Sequence, residues 1–353
     1  MKVIFLFVGL ALSLGAEEIV AVAHPGEEIG EGGTVVWTPL FQAAWDELHK
    51  DLGKPVAVDP PNALMERLDG FEWKAEAVMP EGRWKVWAGP ATGELIGRAN
   101  GEAARLLDGG EGPFVVEPRA GGMVALGVLA REMSFKKAMH ASLKVPMDFE
   151  LADGSRSKVR FFGTRGDLSG GYGGVVRVLA YEKGTHAIEI ASEGDDVVVV
   201  YLPEKGMSFQ EACSTLRVWR SDRLKGEYGS LQDPSLHRGD DVRIPVLRLE
   251  CVADFAGELG SKRQFKEGLP WEVHRAEQRL EFELTEKGAR VRAVVESDIA
   301  PFGDPEEPPR PPPVAARDFH YDRPFFVFLW REGAEWPYVG AWVGDDAAME
   351  RWK

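Results

Sequence analysis

The chain of 353 residues is long enough for one large domain or two ordinary ones, and 44% apolar residues with eleven tryptophans exclude global disorder. A formal charge of −15 and a pI near 5.1 repel phosphate backbones and anionic headgroups, which makes nucleic acid and membrane surfaces poor partners.

The N-terminus, "MKVIFLFVGLALSLGAEE", sets Lys2 before an apolar run from Val3 to Leu14, then small Gly15 and Ala16 ahead of two glutamates. That order predicts a secretory signal peptide over 1–16, too short to span a bilayer, and an exported chain over 17–353, extracellular or periplasmic. Thr38 and Pro39 open a helix in which Phe41, Ala44, Trp45, Leu48 and Leu52 recur at three- and four-residue steps, and Gly53 ends it. A Pro/Gly-rich interval follows, then a helix across "GELIGRANGEAARLL".

From Gly122 the pattern turns to strands. "GMVALGVLA" is a continuous apolar run, expected of a central strand covered on both faces. "KVRFFG", "VVRVLAY", "HAIEIAS" and "DVVVVYLP" follow at hairpin spacing, and "SFQEACSTLRVW" is a helix with a capping box of Ser208 and Glu211. "VRIPVLRLECV", "HRAEQRLEFELTEKG" and "RPFFVFLWRE" complete the strands. Early helices and later strands give an α+β class. One stretch stands apart: residues 288–313 begin as an alternating strand, then carry seven prolines between Pro301 and Pro313.

Cys213 and Cys251 both fall on apolar faces and read as buried core thiols. In "DFHYD", Asp318, His320 and Asp322 share one strand face; a polar edge beside "RPFFVF" is the reading, rather than a metal site. Asp195-Asp196 and Asp240-Asp241 are turn-type acidic pairs. Phosphate loop, zinc spacing and nucleophile elbow are all missing, so no catalytic residue, metal or cofactor is assigned and an enzyme has no support.

The order of these pieces resembles the serpin family of serine-protease inhibitors. "VALGVLAREMSFKKAM" lies where the family carries its long central strand, and "VRVLAYEKGTHAIEIASEGDDVVVVYLPEKGMSFQEA" is similar to its two strands, "L-P" and capped helix. "RIPVLRLECVADFAGELG" and "LEFELTEKGARVRAVVESDIAPF…DRPFFVFLWREGAEWPYVGAWV" resemble the blocks around the family's reactive loop. The resemblance implies one α+β domain over 17–353, with a large mixed sheet, packed helices and an exposed reactive loop over 286–317. It implies a monomer without cofactor whose partner is a serine protease. In such proteins a protease cuts the loop and the hinge inserts as a new strand into the main sheet.

The hinge implied here is Glu286, Lys287, Gly288, Ala289, Arg290, Val291, Arg292 and Ala293. With a period of two, Ala289, Val291, Ala293 and Val295 would point inward, and Arg290, Arg292, Val294 and Glu296 outward. Family spacing sets the scissile bond at Phe302-Gly303; a large apolar residue there points to a chymotrypsin-like protease. Three departures argue the other way. Arg290, Val291 and Arg292 bring bulk and charge into a run that is small in inhibitory members. The proline tract lengthens the loop. Positions of the family's polar latch fall on Phe41, Gly127 and Gln278, and its breach tryptophan on Phe135, so packing stands where hydrogen bonds would control opening. Two functions remain open: a suicide-substrate inhibitor, and a non-inhibitory binding protein whose proline-rich loop recognises a partner.

Overall fold

The structure is a computed structural model that describes residues 19–352 apart from 31, 54–57, 60–61, 108, 110–111, 120–121, 143, 165–168, 183, 228, 230, 232–233, 260–262, 266–269, 272–275 and 293–315. The signal-peptide segment therefore lies outside the described residues.

The first helix runs Leu40–Leu52, and Gly53 ends it in the left-handed conformation (φ 68°), its N–H reaching the Lys50 carbonyl. Its apolar stripe packs Trp45, Phe41, Leu48 and Leu52 against Phe255 and Leu259. The interval read only as Pro/Gly-rich holds, among the described residues, four regular elements, including the short strand Val58–Asp59 and the single-turn helix Ala75–Val78. Asn62 accepts a hydrogen bond from the Met65 N–H (2.9 Å) to cap a helix at Ala63–Asp69, and a strand runs Trp84–Pro90. Thr92 caps the helix Gly93–Leu106, which buries Leu95, Ile96, Ala99 and Ala103.

A seven-stranded sheet forms the centre. Its order is Val20–Val22, Val35–Trp37, Val339–Val343, Phe325–Arg331, Asp196–Leu202, Thr185–Ala191 and Val176–Glu182, antiparallel except for the first pair. Asp196–Leu202 is buried at every position, as four successive valines between two partner strands require. The helix Phe209–Lys225, six residues longer than its apolar pattern, buries Phe209, Ala212, Cys213 and Leu216. The Phe209 ring lies 5.7 Å from Phe326 and 6.1 Å from Trp37, so the helix is keyed to the sheet by aromatics.

A second sheet has the order Leu247–Asp254, Glu277–Thr285, Gly288–Arg292, Arg131–Ser134. Arg131–Ser134 continues, through Ala130, the strand Met123–Leu129. That upper segment pairs antiparallel with Trp84–Pro90. The expectation of a strand covered on both faces holds: the helix Leu40–Leu52 lies on one side of it and Gly93–Leu106 on the other. Leu126 and Val128 are buried while Ala125 is exposed. The strand has one strand partner among the described residues; Leu126 and Val128 pack with the Gly93–Leu106 helix, and Gly127, on the opposite side, meets Leu40 of the first helix.

Two further strands break where the sequence reads through. "VRIPVLRLECV" divides at Val246, and "KVRFFG" at Arg160. Asp241–Pro245 pairs with Phe161–Gly163 and, in parallel, with Asp318–His320 in a third sheet. Leu247–Asp254 belongs to the second sheet.

Candidate functional site

The strand Gly288–Arg292 sits between Glu277–Thr285 and Arg131–Ser134, antiparallel to both. Ala289 faces Leu284 and Met133; Val291 faces Phe282 and Arg131. Ala289 is 2% exposed and Val291 4%, because their side of the sheet rests on the main core. Arg290 takes the other side, where its Nη2 donates to Glu283 Oε2 at 2.8 Å and Glu132 stands directly opposite. Charge at this position is therefore accommodated: the half-buried Arg290 is paired across the strand with Glu283.

The turn leading into this strand is held by backbone groups. Phe135 N–H donates to the Lys287 carbonyl (2.9 Å) and Met139 N–H to the Glu286 carbonyl (2.8 Å). Gly288 has φ 155°, and a Cβ there would overlap the Met133 carbonyl oxygen. Glycine is thus required by the close approach of the neighbouring strand. Of the remaining hinge and scissile-bond positions, Ala293, Phe302 and Gly303 lie outside the described residues.

The positions aligned with the polar latch are apolar or unpartnered. Phe41 packs on Phe255 at 4.9 Å, and Gly127 is closed in by the side chains of Leu40 and Val86. Phe135 is buried near Phe162. Gln278 is 6% exposed, and neither side-chain amide atom has a hydrogen-bond partner among the described residues. Beside this region a charged contact was not legible in the sequence. Arg131, next to Val291, donates Nε to Asp196 Oδ2 at 2.5 Å and ties the hinge's neighbour to the seven-stranded sheet.

The chain re-enters the described fold at Ala316. Arg317 immediately meets Asp240, which is fully buried: Nη2 donates to Oδ2 at 2.7 Å, Nε at 3.2 Å, and the Arg317 N–H to Oδ1 at 2.9 Å. Nη2 also reaches the Ser235 carbonyl (2.6 Å), and the guanidinium lies over the Phe319 ring. A bidentate arginine on a buried carboxylate fixes the start of the strand Asp318–His320 against Asp241–Pro245. Asp240, which reads as part of a turn-type acidic pair, is this anchor. Nothing in its own neighbourhood of sequence points to Arg317, 77 positions away.

His320 Nε2 lies 2.9 Å from Asp241 Oδ2, and Asp318 is at 4.0 Å from the same nitrogen. Asp322 lines the adjacent cleft, of about 540 Å³, with Tyr181, His186 and Arg323. Both cysteines are buried thiols outside any disulfide, and Cys251 Sγ donates to the Ile19 carbonyl at 3.3 Å. Burial pushes the Cys213 thiol far above its ordinary value, which makes it an inert core group.

No family model matches the chain and no curated protein matches its sequence. Solved structures do match its fold. Human thyroxine-binding globulin in complex with thyroxine is similar at 12% identity, with 88% of this chain and 92% of that one covered and a TM-score of 0.51. Human glycosylated kallistatin is similar at 12% identity, over 91% of this chain and 92% of that one, with a TM-score of 0.51. The chain has the serpin fold: an α+β architecture with a large sheet and packed helices.

Proposed function

We propose that the protein is an exported inhibitor of serine endopeptidases that acts as a suicide substrate. A chymotrypsin-like protease takes Phe302 into its apolar primary pocket and attacks the Phe302-Gly303 bond, and the freed hinge moves further into the sheet. The observation that supports this reading is the place of Gly288–Arg292, a strand antiparallel to both neighbours with Ala289 and Val291 inward. Its arginine at 290 faces outward and is ion-paired, so it does not oppose insertion. After cleavage the same register would carry residue 293 between Leu280 and Leu129. Mixing the protein with chymotrypsin and running a denaturing gel tests this. A covalent band at the summed mass is expected, together with a cleaved form of higher melting point. Cleavage near Phe302 with neither band nor melting shift would refute it.

A second reading is a binding protein on the same scaffold, with the proline tract as a polyproline recognition segment. One observation favours it: five residues of the hinge already occupy the sheet in the intact chain. Strand pairing formed in advance is no longer available to drive the distortion of a captured protease.

A further inference from the structure

Away from Gly288–Arg292, one cluster of ligating groups among the described residues is assembled from separate parts of the chain. Asp318 and His320 lie two apart on one strand and so project to one face. The parallel register sets Asp241 against Asp318 and Arg243 against His320, which brings a third donor to the same place. One ligand atom from each of Asp241, Asp318 and His320 lies within 4.8 Å of the other two.

The separations suit a small ion. Ligands of a tetrahedral zinc, at about 2.0–2.1 Å, stand roughly 3.4 Å from one another. His320 and Asp241, at 2.9 Å, would part slightly, and Asp318, at 4.0 Å from His320, would swing inward. The Asp318 side chain is 71% exposed and free of packing that would resist. Arg243 Nη2 lies 2.6 Å from the same Asp241 Oδ2 that faces His320 and fixes the position of that carboxylate. A second observation falls in the same cleft. His186 lines it at 8% exposure, and its Nε2 has no hydrogen-bond partner among the described residues.

We propose that Asp241, Asp318 and His320 form a site for a zinc-class divalent cation, with its remaining position open to the cleft. One imidazole nitrogen with two carboxylates suits zinc better than magnesium, which prefers oxygen ligands alone. The ion takes the place of the direct His320–Asp241 contact and staples Asp318–His320 to Asp241–Pro245. It therefore acts at the exit of the loop, on a strand contact that is otherwise only three residues long.

Calorimetric titration of the tag-free protein with zinc chloride, and separately with magnesium chloride, tests the site. Saturable binding of one zinc is expected, with no magnesium binding and with a raised melting temperature. His320→Ala and Asp318→Asn should each weaken zinc by more than about tenfold. Asp318→Asn alters an exposed side chain, so its metal-free melting temperature should match the parent and separate lost binding from misfolding. Absence of zinc binding in the parent, or undiminished binding in both variants, would overturn the proposal.

Discussion

Replacing Arg317 with methionine removes the cation from a carboxylate that has no solvent contact. Asp240 would keep the backbone N–H of residue 317 and that of His237 (2.8 Å), but lose the three side-chain contacts from Nε and Nη2. Breaking a buried pair from one side costs about 3–5 kcal/mol, and the retained backbone donors set the value near the lower end. With a urea slope of about 3 kcal/mol/M for a chain of this size, the midpoint should fall by about 1 M. Hydrogen exchange should locate the loss: the amides of Asp318 and His320, beside the broken anchor, should lose protection before those of Phe325–Arg331. The double variant Asp240→Leu, Arg317→Met leaves no charge stranded and should recover most of the stability. A single variant within about 1 kcal/mol of the parent would refute the argument that this pair anchors the strand.

Gly288→Ala should displace the hinge strand, because a Cβ meets the Met133 carbonyl; faster proteolysis between Thr285 and Arg292 is the expected readout, and unchanged proteolysis would show that the sheet can yield. Acid should destabilise the fold through His186 and His24, whose pKa values burial lowers to about 3 and about 4, helped by Arg323 and Arg67 respectively. The unfolded chain binds these protons near pH 6.5 and the folded chain does not, so stability is lost as pH falls from about 6.5 toward those values, at about 1.4 kcal/mol per unit for each histidine. His186→Gln should flatten the melting temperature between about pH 7 and pH 5, and an unaltered slope would remove His186 from this role. Cys213 should resist a thiol reagent in the native protein and react on unfolding; rapid native labelling would contradict its burial.

Elements specified by neighbouring residues were legible. The Ser208/Glu211 capping box forms as read, and Gly53 takes the left-handed end that the pattern requires. Alternation from Ala289 to Arg292 predicts a strand with Ala289 and Val291 on one face, since both are set by a period of two. Which strands lie on either side is decided by residues about 155 positions earlier and by a two-residue turn, and no local pattern carries that. The same limit explains the divided strands. Val246 continues the apolar alternation without interruption, yet the chain there passes from one sheet to another to satisfy two different sets of partners. Asp318 and His320 look like an isolated polar edge until the parallel register supplies Asp241. Buried ion pairs such as Arg317–Asp240 and Arg131–Asp196 are equally silent, because each half is an ordinary charged residue in its own segment.

The place of Phe325–Arg331 in the sheet has a consequence for any protease that cuts the chain between residues 293 and 315. Everything after the cut, including two strands lodged inside the seven-stranded sheet, would remain clamped by Asp196–Leu202 on one side and Val35–Trp37 on the other. Phe325, Phe326, Phe328 and Trp330 are all fully buried, so the carboxyl-terminal piece could leave only if the whole molecule unfolded. A nick would pass unnoticed by size under native conditions and appear as two fragments only in denaturant. Proteolysis of this chain is thus a permanent mark written on an assembly that stays in one piece.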